Sequence, residues 1–153
     1  MGIIDSPKAM EGKPRVAGLL LSQELQYLDH AIVNAKKPFV AVLGGSKVSD
    51  KMDVIENLIG RVDTILIGGA MSYTFLLARG EEVGNSLIEV DRIEDATAML
   101  ALASSSSTEV ILPFEHVCAQ QIVLRSSVQV VKTPIPNGWI GVDIGPETIA
   151  TYT

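Results

Sequence analysis

Short apolar runs alternate along the chain with segments of helical periodicity. The runs at 39–45 and 64–69, FVAVLGG and TILIGG, predict strands, and each run ends in two glycines. Between them, Met52, Ile55 and Ile59 recur at the spacing that places apolar side chains on one helix face. The first part of the chain therefore predicts a strand, a helix and a second strand.

The same pattern continues to the last residue. MSYTFLLAR predicts a helix that Gly80 closes, and Asp91 with Glu94 gives a D-x-x-E start for a helix through Ala103. EVILPF and VQVVKTPI predict two more strands, and GPETIATYT predicts a last helix with Pro146 in its first turn. Leucines at helical spacing within 19–34 predict one earlier helix.

This order of elements predicts the fold class. Strands that alternate with helices favour an α/β fold, here a parallel sheet flanked by helices in a Rossmann-like three-layer arrangement. In such sheets ligands bind outside the carboxyl ends of the strands, and both glycine pairs are expected at such ends.

Composition narrows the class of protein further. The chain has 153 residues, of which 47% are hydrophobic and only 5% aromatic, so we expect one domain with an aliphatic core. No apolar run is long enough to span a membrane, and a net charge of −6 argues against nucleic acid as a partner. The single cysteine, Cys118, cannot form an internal disulfide, which favours a cytoplasmic location.

Two lysines follow the first glycine pair at a four-residue spacing, which is electrostatically unfavourable on a helix. On a helix, Lys47 and Lys51 would share one face and repel each other by a few tenths of a kcal/mol. A helix start also carries positive partial charge, which disfavours cations there. A bound phosphate would reverse both effects, and Gly44 and Gly45 would let it approach the backbone.

Simpler interpretations of these residues remain open. Asp50 lies between the two lysines, and long side chains near a helix start are often only solvated. The P-loop and G-x-G-x-x-G motifs are both absent. His116 and Cys118 would share a strand face, but no further cysteine is present to complete a metal site, so no metal ligand is predicted.

Several collinear segments together resemble phosphoglycerate kinase. They are KPFVAVLGGSKVSDKMDVIENL, VDTILIGGAMSYTFLLARG, VGNSLIEVD, VILPFEHV and IPNGWIGVDIGPETI, preceded by PRVAGLLLSQELQYLDHAI. The resemblance runs from about residue 13 to 153. It implies phosphoryl transfer between 1,3-bisphosphoglycerate and ADP, with Mg-ADP or Mg-ATP as the bound nucleotide.

The resemblance also assigns site residues. Lys47 and Lys51 match the lysines that hold the nucleotide phosphates and the transferred group. The residues that match the nucleotide-binding positions are Gly44, Gly45, Ser46, Gly68, Gly69, Ala70, Leu87, Pro113 and Val142. Among these, the glycine turn at 68–70 matches the turn beside adenine, and the last three match positions near the base and ribose.

The sequence departs from the family pattern in ways that limit the expected activity. Ala70 stands where a third glycine is usual, Ser46 stands where alanine is usual, and LPFEHVCAQQ replaces a segment that usually carries aspartates. Residues 1–17 are expected to be a leader or linker, and 18–153 an incomplete nucleotide-binding domain with the interdomain helix at 19–34.

A partial domain of this kind is expected to be inactive alone. Its uncovered sheet edge and apolar surface should favour association with the remainder of the enzyme or with itself. The alternative function is a non-catalytic fragment that complements another chain.

Overall fold

The computed structural model describes residues 18–20 and 35–153. The predicted leader at 1–17 and nearly all of the predicted helix at 19–34 lie outside the described residues. The chain divides into two compact units, Met1–Lys36 and Lys37–Thr153, and every element named below belongs to the second unit.

A parallel three-stranded sheet forms the centre of this unit. Strands β1 (Val40–Leu43), β2 (Thr64–Ile67) and β3 (Glu109–Ile111) lie in the order β1-β2-β3. Leu43 pairs with Ile67 at the carboxyl ends of β1 and β2. The apolar residues of β2 are buried on both faces, as expected for the central strand of a parallel sheet. The predicted α/β fold class is confirmed.

Helices connect and cover these strands. They are α1 (Met52–Leu58), α2 (Met71–Ala78), α3 (Ile93–Ser104) and α4 (Pro146–Tyr152). Helix α2 packs against α3, and each of these four helices lies where the apolar periodicity or the proline position predicts one.

The predicted start of α3 is wrong in detail. Asp91 belongs to a short 3-10 helix, Val90–Arg92, and the residue before α3 is Arg92, which makes no side-chain capping hydrogen bond. Arg92 instead donates to Asp95 at 3.1 Å. The D-x-x-E pattern therefore marks this region without forming a capping box.

A second sheet, of which the pattern predicted only the strand at VQVVK, follows the parallel one. Strands β4 (Glu115–Ala119), β5 (Val128–Lys132) and β6 (Ile140–Ile144) are antiparallel and lie in the order β5-β4-β6. A purely parallel sheet is therefore the wrong expectation for the last third of the chain. Pro113 separates β3 from β4, since proline cannot continue the hydrogen bonding of a strand interior.

The core is mostly aliphatic, as the composition predicts. Its largest fully buried side chains include Phe75, Ile55, Ile65, Ile67, Met71, Leu76 and Ile135. Two valines of β1 remain exposed, Val40 at 43% and Val42 at 72%, so one border of the parallel sheet presents apolar surface. Among the described residues, no helix is both long enough and apolar enough to cross a membrane.

Candidate functional site

The two glycine turns meet at one edge of the parallel sheet. Gly68 N donates to Leu43 O at 2.8 Å, and Met71 N donates to Gly45 O at 2.9 Å. These hydrogen bonds join the loop after β1 to the loop after β2. The expectation that both glycine pairs lie at the carboxyl ends of strands is confirmed.

Gly69 is required by its surroundings as well as by its backbone conformation. Its φ is +68°, and a Cβ placed on it would lie 2.8 Å from Gly45 O and 2.9 Å from Gly45 N. Ala70 has φ −63° and ψ −26°, which is ordinary helical backbone, and it directly precedes α2. The alanine at this position is therefore compatible with the turn without backbone strain.

The two lysines do not share a helix face, which corrects the prediction. Helix α1 begins only at Met52, and Lys51 is the residue before it, with φ −121° and ψ −2°. Lys47 lies in the loop after β1. The fully buried side chain of Val48 anchors this loop, and Lys51 N donates to Val48 O at 2.8 Å. The chain thus makes a turn, not a helix, between the lysines.

Both lysines nevertheless lie on the loop that leaves the first glycine turn. Lys47 is exposed and Lys51 is half-buried. Within the described part of the chain, neither ammonium group has a carboxylate oxygen within 4.0 Å. Two positive charges without an ion-pair partner, beside exposed glycine backbone, form a surface suited to an anion.

Glu89 is a residue of this region that the sequence analysis did not single out. Its carboxylate accepts hydrogen bonds from Ser49 N at 3.0 Å and from Ser49 Oγ at 2.7 Å. The Ser49 hydroxyl is the main reason that the pKa of Glu89 lies below its ordinary value. No local pattern indicates this contact, because the two residues are 40 positions apart.

The residues assigned near the base and ribose divide into two groups. Leu87 is 57% exposed and Val142 is 42% exposed. Their segments are joined, since Gly141 N donates to Ser86 Oγ at 2.9 Å. Pro113 differs, because it is buried just beyond the end of β3.

Strand β6 reaches the second glycine turn. A Cβ placed on Gly68 would lie 4.0 Å from Ile144 Cγ2, so the last residue of β6 packs against this turn. Ser46, the remaining assigned residue, is exposed on the loop between Gly45 and Lys47.

Tyr152 closes the same edge from the last helix. Its hydroxyl donates to Ile67 O at 2.9 Å and to Ile111 O at 3.2 Å, the terminal carbonyls of β2 and β3. Burial raises the pKa of Tyr152 to about 12, so the hydroxyl keeps its proton at neutral pH. No sequence pattern predicts this contact either.

His116 and Cys118 are both buried and uncharged. Burial lowers the pKa of His116 to about 4 and raises the pKa of the Cys118 thiol, which keeps both side chains neutral at pH 7. His116 Nε2 lies 3.0 Å from Thr133 Oγ1, which links β4 to the residue that follows β5. The part of the chain that the structure describes holds no cluster of three or more potential metal ligands.

One open groove of about 520 Å³ lies elsewhere on the surface. It is lined by the end of α2, by α3 and by residues 108–110 at the start of β3. Because the start of a parallel strand is opposite to its carboxyl end, this groove is separate from the glycine turns.

Known proteins resemble this chain in sequence and in architecture. The family model described as phosphoglycerate kinase matches residues 5–153. A phosphoglycerate kinase from Thermosipho africanus is 46% identical over 141 residues, which cover 91% of this chain and 35% of that protein. A chloroplastic phosphoglycerate kinase from Chlamydomonas reinhardtii is 48% identical over 141 residues, which cover 92% of this chain and 31% of that protein.

A solved structure agrees with the sequence match. The phosphoglycerate kinase from Coxiella burnetii superposes with a TM-score of 0.83 at 36% identity, over 89% of this chain and 35% of that one. The fold and the paired glycine turns define an α/β protein of the parallel-sheet class. The chain belongs to the phosphoglycerate kinase family, and it spans about a third of the length of the curated relatives it matches.

Proposed function

We propose that this chain forms part of the ADP/ATP site of a phosphoglycerate kinase, which transfers a phosphoryl group between 1,3-bisphosphoglycerate and ADP. The observation that carries the proposal is the meeting of two glycine turns beside Lys47 and Lys51. The names of the matched relatives support the same assignment. We further propose the cytoplasm as its compartment, in line with the wheat relative, which is named as cytosolic.

The chemistry proposed for these residues is positioning and charge stabilisation. The exposed backbone of Gly44, Gly45 and Ser46 would approach the phosphates, and Lys47 and Lys51 would balance their charge. The turn formed by 68–70 would support adenine. No covalent step by the protein is needed for phosphoryl transfer of this kind.

The nucleotide would bring Mg²⁺ with it. Mg²⁺ in such sites is commonly bound by substrate phosphates, waters and one or two carboxylates, without a complete cage of protein ligands. The described residues fit the phosphate part of that arrangement, because they offer lysines and exposed backbone N–H groups. Bound Mg²⁺ supplies charge neutralisation of the phosphates.

The first test is an ADP titration of this chain followed by amide NMR. We expect shifts at residues 44–51 and 68–70. Replacing both lysines, Lys47→Ala/Lys51→Ala, should weaken ADP binding about 100-fold, since two charge-assisted hydrogen bonds are lost at about 1.5 kcal/mol each.

A matched control comes from the opposite edge of the sheet. Lys37 and Arg61 precede β1 and β2, so Lys37→Ala/Arg61→Ala also removes two positive charges and should leave ADP affinity within about twofold. Lys37 pairs with Asp63 at 2.7 Å on the surface, where such pairs contribute about 0–1 kcal/mol, so this control is expected to fold. Equal losses in the two double variants would contradict a specific phosphate site.

We also propose that the rest of the enzyme is the partner of this chain. Val40 and Val42 are exposed on β1, which has no strand on its outer side among the described residues. An apolar sheet border of this kind pairs readily with another chain. The chain alone should show no phosphoryl transfer, because orienting the two substrates can lower the barrier by about 7–11 kcal/mol and this chain alone would not provide that orientation.

Mixing tests this partnership. Adding a chain that carries the remaining two thirds of the Thermosipho relative should produce measurable transfer from 1,3-bisphosphoglycerate to ADP and a heterodimer in sedimentation. Without it, we expect self-association at high concentration. A monodisperse monomer at high concentration that gains neither activity nor a partner on mixing would refute the proposal.

A further inference from the structure

Both carboxylate oxygens of Glu89 accept hydrogen bonds from Ser49, in the middle of the loop that carries Lys47 and Lys51 (the lysine loop). Oε2 accepts from Ser49 N at 3.0 Å, and Oε1 accepts from Ser49 Oγ at 2.7 Å. Ser49 stands midway between Lys47 and Lys51. A two-point hydrogen bond to one residue fixes its orientation as well as its position.

Glu89 is itself held by α2, the helix that follows the second glycine turn. Its backbone N–H donates at 3.1 Å to the hydroxyl of Thr74, which is 1% exposed inside α2. Helix α2 begins directly after Gly69 and Ala70. The hydrogen bonds therefore run from one glycine turn, through α2 and Glu89, to the loop that leaves the other turn.

Charge contributes to the same arrangement. The pKa of Glu89 is lowered first by the Ser49 hydroxyl and more weakly by the positive charge of Lys47, while burial opposes both. Glu89 is thus an anion at neutral pH. Its negative charge is attracted to the positive charge of Lys47 without forming an ion pair to it.

We propose that Glu89 is a positioning residue, which orders the backbone of Lys47 and Lys51 for an incoming phosphate and does not touch the nucleotide itself. This inference rests on the proposed function of the lysine loop. This role differs from general stabilisation of the fold. The Glu89 contacts join α2 to the loop and involve no residue of the sheet.

The test compares Glu89→Gln with Glu82→Gln by ¹⁵N relaxation and by ADP titration. The glutamine keeps the shape of the side chain, and its one carbonyl oxygen can still accept from Ser49 N. Its NH2 group offers the Ser49 hydroxyl no acceptor, so the charge-assisted bond from Ser49 Oγ is lost. In Glu89→Gln, we expect lower order parameters for the amides of Lys47, Ser49 and Lys51, and an ADP Kd about tenfold higher. Glu82 is exposed on another loop, and its variant removes the same charge as a control.

The possible results separate this inference from the proposed function. Unchanged order parameters at the three amides overturn the inference, and so does an unchanged Kd despite a more mobile loop. A Kd that rises only together with a lower urea midpoint would also overturn it, since that indicates a purely structural role. If the wild-type chain binds no ADP, the proposed function fails, and the order parameters alone decide whether Glu89 positions the lysines.

Discussion

Replacing Gly69 by alanine should destabilise the fold by about 3–5 kcal/mol. A non-glycine residue in the left-handed region costs about 1–3 kcal/mol, and Gly69 has φ +68°. The added Cβ would also lie 2.8 Å from Gly45 O, closer than real Cβ atoms approach. The clashing atoms belong to the backbone of Gly45, and Gly45 O also accepts a hydrogen bond from Met71 N. This backbone therefore cannot move away without separating the two turns.

Gly80→Ala is the matched control for this prediction. Gly80 has φ +87°, but a Cβ placed on it would meet no atom within 4 Å. Alanine there should therefore cost only the conformational part, about 1–2 kcal/mol. Urea unfolding of both variants measures the difference, and equal midpoints would show that the two glycine turns do not pack as closely as described.

The parallel sheet and the helices could be predicted because their signals are local. β1 and β2 are short apolar runs that each end in two glycines, so the apolar composition and the glycines after each run both indicate parallel strands, of which β2 is buried and β1 is not. α4 has Pro146 in its first turn, where proline is favoured. The meeting of the glycine turns then follows from parallel topology, because neighbouring carboxyl ends lie at one edge.

The antiparallel sheet could not be predicted in the same way. β4 contains Glu115 and His116, which are buried at 6% and 0% exposure although their residue types are usually found at the surface. β6 contains Gly141 and Asp143, both of types that are depleted in strands. The burial of Glu115, His116 and Gly141 depends on partners more than 15 residues away, which a periodicity count does not detect.

The candidate site shows the same division between local and long-range signals. The glycines and lysines are visible as a motif, whereas Glu89 and Tyr152 act through hydrogen bonds that span 40 and 85 residues. The prediction that the two lysines share a helix face failed for a related reason. Because Val48 is buried, the loop turns before α1 begins, and a spacing of four residues no longer implies one helix face.

The buried Glu115 links strand β4 to helix α4. Its Oε2 accepts from Glu147 N at 2.7 Å at the start of α4, and its backbone O accepts from Gly145 N at 2.7 Å. Thr148 adds a hydrogen bond from its hydroxyl to the same carbonyl at 3.0 Å. This arrangement seats α4, whose Tyr152 hydroxyl reaches the end of β2 beside the second glycine turn.

Gly145→Ala should therefore cost about 3–4 kcal/mol. The φ of Gly145 is −84°, so alanine suffers no backbone strain there, and the whole cost comes from contact. A Cβ would lie 2.5 Å from Glu115 Oε2 and 2.7 Å from its Cγ. The side chain of Glu115 is buried, so moving it away breaks its hydrogen bond to α4 and leaves the N–H group of Glu147 without that acceptor.

A double-mutant cycle with Glu115→Ala separates this clash from other causes. Glu115→Ala alone should cost about 2–3 kcal/mol, because the N–H group of Glu147 loses its acceptor and the site loses side-chain volume. In that background the space beside Gly145 is open, and Gly145→Ala should cost less than about 1 kcal/mol. Urea unfolding of the four proteins should thus give a coupling free energy of about 2–3 kcal/mol. Additive costs would mean that Gly145 is required for a reason other than the Glu115 carboxylate, and that α4 is not seated by it.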